Sequence, residues 1–341
     1  MAHIINFRDI AREAGVSPAT VSLALRGARK IPEATRARVI ACAERLGYRP
    51  NPLVSAFMAS LRAGRRKETS GILAVITERP LNDYARTHPG IGLIVEGART
   101  QAAEAGYVID EFAVKRYAEE HRDMEQTLRA RNITGLLLLS LTDLGMKLKL
   151  DWSRYAVCMA GGLQSPHHFM WVHHDYFQIM VCGVENLRRL GYGRIGLVMS
   201  DILCLVTEHR FEAAWLYLQE KYGMESLVPM LRAGRQPRLV FLEWVRRHRP
   251  EAIIATDHRV LGWLKAEGIR VPEDMAVAHT DIAPGWGPLA GVDQCHRRAG
   301  AAVVEQLIFQ CDHNHRGPLD GSRTLLVSGE WRDGATAPAV P

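Results

Sequence analysis

No stretch of this 341-residue chain approaches the roughly 18 consecutive apolar residues that a membrane-crossing helix needs. The first residues, MAHIINFRDIAREAGV, lack the charged start, long apolar run and small-residue cleavage site of a secretory signal. A cytoplasmic protein with no membrane partner is expected. Cysteine is scarce: Cys42, Cys158, Cys182, Cys204, Cys295 and Cys311 form no CxxC pair, so neither a disulfide framework nor a zinc site is expected. There is no phosphate-cradling GxxxxGK[ST] loop, no GxSxG elbow and no Cys–His nucleophile pattern. The doublets His167–His168 and His173–His174 have no acidic or cysteine cluster around them, and neighbours in a strand face opposite ways, so no metal is expected. The sequence offers no catalytic residue and no cofactor site, and the chain is not expected to be an enzyme.

What is present is unevenly spread. The first 66 residues hold eleven Arg and Lys30 against Asp9, Glu13, Glu33 and Glu44, a net of +8. The whole chain carries 43 basic and 37 acidic side chains, so everything after residue 66 nets −2. Positive charge gathered in one fifth of a chain is the usual electrostatic footprint of a nucleic-acid binder.

That basic segment has helical grammar. Asn6 can cap a helix with Asp9 in its first turn, Ile10, Ala11 and Ala14 make an apolar stripe, and Gly15 ends it. Ser17 caps a second helix with Pro18 at its first position, and Val21 and Leu25 face inward. Gly27 stops that helix. Pro32 opens a third, with Val39, Ile40, Ala43 and Leu46 as its buried face and Gly47 as its end. Two short helices on a tight turn plus a supporting third make a helix-turn-helix unit, whose second helix enters the major groove. Ser17, Pro18, Ala19, Thr20 and Ser22 stand at that helix's N-terminal end, with Leu23 on the same exposed face.

The segment resembles the lac repressor (LacI/GalR) family through FRDIAREAGVSPATVSLALRG (residues 7–27), EATRARV (33–39) and ERLGYRPN (44–51). The resemblance implies that Pro18, Ala19 and Leu23 choose the operator sequence, while Thr20 and Ser22 contact phosphates. It also places Arg26 where the family usually has Asn, as a further base or phosphate contact. The selecting set is apolar. It can meet thymine methyls and follow DNA shape, but it cannot make bidentate contacts to guanine or adenine. NPLVSAFMASLRAGRR (51–66) then looks like a hinge helix capped by Asn51, the segment from which the family pushes a wedge into the minor groove. Counting from Tyr48 puts the wedge at Phe57, and counting back from the LRAGR run puts it at Leu61. The hinge reads as one turn longer than usual.

From residue 70 the pattern becomes α/β. Apolar runs at 71–78, 107–114, 135–141 and 155–161 alternate with helical stretches at 91–105 and 119–131, and the alternation restarts with strands at 194–200, 252–257 and 275–281 and helices at 176–190, 210–222 and 260–267. The expected fold is an all-α helix-turn-helix head (residues 1–50) and a hinge helix (51–69), followed by an α/β bilobed body (70–341). The body is two Rossmann-like lobes, periplasmic-binding-protein-like. Lobe one is expected at about 70–163 plus 292–323, and lobe two at about 164–291 plus 324–341. The family resemblance extends through ENLRRLGYGRIGLV (185–198), residues 251–282, and LAGVDQC (289–295). It implies a small-molecule effector, most often a carbohydrate, held between the lobes by Arg210, Asp281 and Trp171, with Asp257 and Gln294 near by. A bland alternative pairs Arg210 with Glu212 on the surface and buries Trp171 in the core. Thr256, Ala213 and His279 depart from the family's usual Asn, Gly and Gly. The family further implies a homodimer bound to double-stranded operator DNA of near-palindromic sequence, usually as a repressor.

Overall fold

The structure is a computed structural model that describes residues 7–25, 31–46, 71–83, 89–139, 148–161, 167–234, 237–282 and 287–340. Among the described residues three helices form the head: α1 (Phe7–Ala14), α2 (Pro18–Leu25) and α3 (Glu33–Arg45). Ile10, Ala11, Ala14, Val21, Ala24, Val39, Cys42 and Ala43 make its core. Gly15 takes φ +64°, the left-handed conformation that ends α1 without cost to a side chain, and the amide of Val16 bonds back to Ala11. One expected core residue is corrected. Ile40 is 39% exposed, and Cys42 takes the inward position on α3. With Val39 and Ala43 pointing at α1 and α2, the 3.6-residue period carries residue 40 to the solvent side and residue 42 to the core.

The body holds two six-stranded sheets. The first contains β1 (Gly71–Thr77), β2 (Tyr107–Ala113), β3 (Gly135–Leu139), β4 (Ala156–Ala160), β5 (Met170–His174) and β11 (Arg323–Val327), in the order β11-β5-β4-β3-β1-β2, all parallel. The second contains β6 (Ile195–Ser200), β7 (Leu231–Ala233), β8 (Ala252–Ala255), β9 (Ala276–His279), β10 (Ala290–Asp293) and β12 (Glu330–Arg332), in the order β12-β10-β9-β8-β6-β7. Only β12 runs antiparallel to its neighbour. Helices cover both faces, so the central strands are buried along their whole length; GLLLL and AVCMA carry no exposed residue.

The helices of the first lobe are α4 (Pro89–Glu104), α5 (Val114–Glu119), α6 (Met124–Ala130) and, from far along the chain, α12 (His296–Asp312). The expected helix at 119–131 starts later, at Met124, because Asp123 caps α6 by accepting from the amide of Gln126 (3.2 Å), and α5 precedes it at 114–119. The second lobe carries α7 (Tyr176–Arg189), α8 (Asp201–Val206), α9 (Arg210–Tyr222), α10 (Pro237–His248) and α11 (Arg259–Ala266). Helices α4 and α12 meet backbone to backbone. A Cβ on Gly97 would stand 2.0 Å from the Arg297 carbonyl oxygen, and one on Gly300 1.9 Å from that of Ile94.

The sheet pairing moves the expected lobe boundaries. β5 pairs with β4, so the first crossing falls after His174 rather than near residue 163. β11 pairs with β5, and β12 with β10, so the last crossing lies between Val327 and Glu330 rather than near residue 324. The second crossing joins β10 to α12. The β5 sequence, MWVHH, hides its strand because two histidines occupy its buried end.

Candidate functional site

Two places gather polar residues that folding alone does not require. The first is the N-terminal end of α2. Ser17 caps it, its Oγ accepting from the amide of Thr20 (3.0 Å) and lying 2.8 Å from the Thr20 hydroxyl. Ser17 and Pro18 are exposed and Thr20 is half-buried. Leu23 is 38% exposed, while Val21 and Ala24 fill the core. α2 therefore presents Ser17, Pro18 and Leu23 outward from a rigid three-helix support, to which the Arg45–Glu13 pair (2.8 Å) adds a tie between α3 and α1. The side chains of Ala19 and Ser22, and residues Arg26, Asn51, Phe57 and Leu61, lie outside the described residues. Replacing Ser17 by Ala should speed hydrogen exchange at the first-turn amides of α2 by roughly fivefold, the equivalent of about 1 kcal/mol of cap, while Ser17→Asp keeps them protected. Equal exchange in all three proteins would deny Ser17 that role.

The second place is the junction between lobes, at the C-terminal ends of the strands. In open α/β sheets this is where ligands bind. Asp281, just past β9 in lobe two, accepts from His296 Nε2 at 2.9 and 3.0 Å. His296 Nδ1 lies 3.0 Å from Nε2 of His174, at the end of β5 in lobe one. This chain of contacts spans the junction at the start of α12. Gly90 makes room for it, since a Cβ there would stand 2.7 Å from the His296 ring. Burial pushes the Asp281 carboxyl up, but the His296 bond and the surrounding imidazoles outweigh it and hold the group below its ordinary value. Burial holds His174 at about 3, with His296 adding to the effect.

Strand alternation sends His173 the other way, onto the face of Trp171 (ring centroids 4.2 Å apart). The Trp171 indole donates to the Gly161 carbonyl (2.7 Å) and its ring packs, partly buried, against the lobe-one core. Arg210 opens α9 and pairs with Glu208 (3.1 Å), not with Glu212. Glu212 is buried and held instead by Arg232 and His209. Asp257 is gripped by Arg259, with Nη2–Oδ2 at 2.6 Å. Gln294 is buried and donates to the Thr280 carbonyl (2.9 Å). His279 stacks on His258 at 3.8 Å, and burial holds it at about 4.

Of the five residues expected at this junction, Asp281 is tied into the interlobe contacts through His296, and the charges of Asp281, Glu208 and Arg210 bear on the buried Tyr176 hydroxyl. Sequence reading missed Tyr176, Glu208 and the four histidines His173, His174, His258 and His296. The available signal was histidine recurring at strand ends, in MWVHHD, ATDH and VDQCH.

Comparison with known proteins decides what this architecture is. Residues 6–51 match the model described as bacterial regulatory proteins, lacI family, and residues 184–334 match the periplasmic binding protein-like domain. The HTH-type transcriptional regulator PtxS of Pseudomonas plecoglossicida is 33% identical over 339 residues, covering 95% of both chains. The chain belongs to the lacI family of bacterial regulatory proteins. The HTH-type transcriptional repressor CytR of Escherichia coli is 24% identical, over 95% of this chain and 96% of its own. Among solved structures, the transcriptional regulator CelR–cellobiose complex superposes with a TM-score of 0.58 at 20% identity, covering 97% of this chain and 99% of that one. The lac repressor dimer bound to operator gives 0.56 at 20% identity, covering 99% and 100%. At these identities the structures speak for the fold: a helix-turn-helix head and two parallel-sheet lobes. As a member of the lacI family, the chain is a transcriptional regulator with a DNA-binding head and a ligand-binding body. No helix among the described residues is long and apolar enough to cross a membrane.

Proposed function

We propose that this lacI-family regulator is a repressor that binds a near-palindromic operator as a homodimer and responds to a carbohydrate held between its lobes. The observation that carries the DNA half is the outward-facing N-terminal end of α2, in a head that with the adjoining hinge segment carries a net charge of +8 over the first 66 residues. Two-fold symmetry of a dimer demands two-fold symmetry of its site, and the lac repressor structure is of a dimer on its operator. Pro18, Ala19 and Leu23 read bases by contact with thymine methyls, Thr20 and Ser22 hold phosphates, and Arg26 adds a contact beside them. Asn51 caps the hinge, and Phe57 or Leu61 supplies the minor-groove wedge.

The ligand half rests on the interlobe cluster. Arg210 and Asp281 supply polar groups on the lobe-two side of the junction, which suits hydroxyl recognition, and Trp171 lies on the lobe-one side, packed against His173. Asp257 and Gln294 orient the surrounding backbone. The CelR structure, described as a cellobiose complex, supports the ligand class.

Selection of bound duplexes from a random pool, followed by salt titration of the recovered sequence, tests the DNA half. A dimeric reader should recover a near-palindrome whose affinity falls by about 10³-fold or more between 50 and 200 mM salt. A directional, asymmetric site would count against the homodimer, and a flat salt profile against the basic head as the binding surface. Release of that operator by one sugar of a panel, and by no other solute tested, is the expected sign of the sensor.

A further inference from the structure

His173 is 3% exposed, and neither of its ring nitrogens has a hydrogen-bond partner within the protein. In either neutral tautomer an imidazole carries one N–H and one lone pair, so both are bare. Protonation offers no relief, because burial holds the group at about 4, with Glu208 opposing and Arg210 assisting. A phenyl ring would fill the same space against Trp171 and beside Tyr176 (6.3 Å, edge-on) with no bare polar atom. Its neighbour His174 differs in part: its Nε2 lies 3.0 Å from Nδ1 of His296, while its Nδ1 has no partner within the protein. His173 thus stands as a buried polar group without a partner, on the lobe-one side of the cluster described above. The two charged groups that bear on it, Glu208 and Arg210, both belong to lobe two and are already matched to each other.

We propose that His173 senses occupancy of the interlobe site: its imidazole, without a partner within the protein, disfavours the ligand-free protein, and a hydroxyl of an uncharged polyol completes it on binding. A hydroxyl both donates and accepts, so it can serve whichever ring edge it meets. Glu208 already matches Arg210, and the Asp281 carboxylate at the same junction disfavours a second anion, so a neutral ligand is favoured over an acid. The assignment rests on the reading of the junction as a carbohydrate site.

The test uses the full chain with His173→Phe and His173→Gln, melted alone and with cellobiose, glucose, ribose or gluconate. Without a probe, the Phe variant should melt about 2–4 °C higher than the parent, and the Gln variant should not, since it keeps a buried polar group. With the neutral sugar that stabilises the parent, the Phe variant should bind about tenfold more weakly or worse, and Gln should recover part of the loss. A Phe variant that melts at or below the parent overturns the bias against the empty site. A Phe variant that keeps the parent's sugar affinity overturns the contact, as does stabilisation by gluconate alone. If no probe shifts the parent while Phe still melts higher, the carbohydrate reading falls and the bias of His173 stands.

Discussion

Lowering the pH from 7 to 5 is expected to remove much of the body's stability. Burial holds His173, His174 and His279 at about 4, about 3 and about 4, against an ordinary imidazole value of about 6.5. Below pH 6.5 the unfolded chain therefore takes up protons that the folded chain refuses. Stability falls as pH drops from about 6.5 to about 4, by roughly 1.4 kcal/mol per unit for each histidine. At pH 5 that is on the order of 2 kcal/mol each, a large share of the about 5–15 kcal/mol that holds a typical domain together. Asp281 does not offset this. Its folded value is depressed, so its contribution persists through the window and is lost only in stronger acid. Urea unfolding followed by tryptophan fluorescence at pH 7, 6 and 5 measures the effect. A midpoint that does not move would mean the three imidazoles are hydrated in the folded protein. His173→Phe should flatten the profile by one histidine's share.

Gly300→Val should be the most damaging single change in the body. Any Cβ at Gly300 meets the Ile94 carbonyl at 1.9 Å and the Ala98 amide at 2.8 Å, both backbone atoms that cannot swing aside. Helices α4 and α12 would have to part, opening the core they share, which includes Val95, Ala98, Val303 and Leu307. Overpacking of a side-chain core costs about 1–3 kcal/mol, and a clash with helix backbone belongs in the exceptional range of about 4 kcal/mol or more. The melting temperature of lobe one should fall by roughly 10 °C. Gly262→Ala is the matched control. Gly262 lies inside α11 with nothing within 4 Å of its missing Cβ, so Ala there should be neutral or stabilising by about 0.5–1 kcal/mol. Equal effects at the two positions would show that helix propensity, not the close approach, governs Gly300.

These two predictions draw on features of very different legibility. The head could be read because its signals are local. Ser17-Pro18 opens α2, Gly15 closes α1, and each lies within a turn of what it controls. The same holds for α9, bounded at 210 and 222 as its pattern suggests. Ile40 escaped because Val39 and Ile40 are equally apolar and only the position of α1 and α2 selects between them. β5 escaped because its histidines look polar, and the contact that buries His174 comes from a partner 122 residues away. The contacts that seal the junction are long-range in the same way. Arg210 and Asp281 were named through family resemblance, whereas Tyr176 has no local mark that sets it apart from a core aromatic and His173 carries only the strand-end histidine pattern.

The three crossings between lobes also set an order of assembly during synthesis. Among the described residues the head draws its core from residues 7–46, so it can fold soon after they leave the ribosome. Neither sheet of the body is complete at that stage, since one waits for β11 at 323–327 and the other for β12 at 330–332. At about 5–20 residues per second, the stretch between head and final strand takes roughly 15–60 s to make. Throughout that interval a nascent chain carries a finished DNA reader and an unfinished ligand-binding body, and a ribosome stalled late in the message would prolong that state.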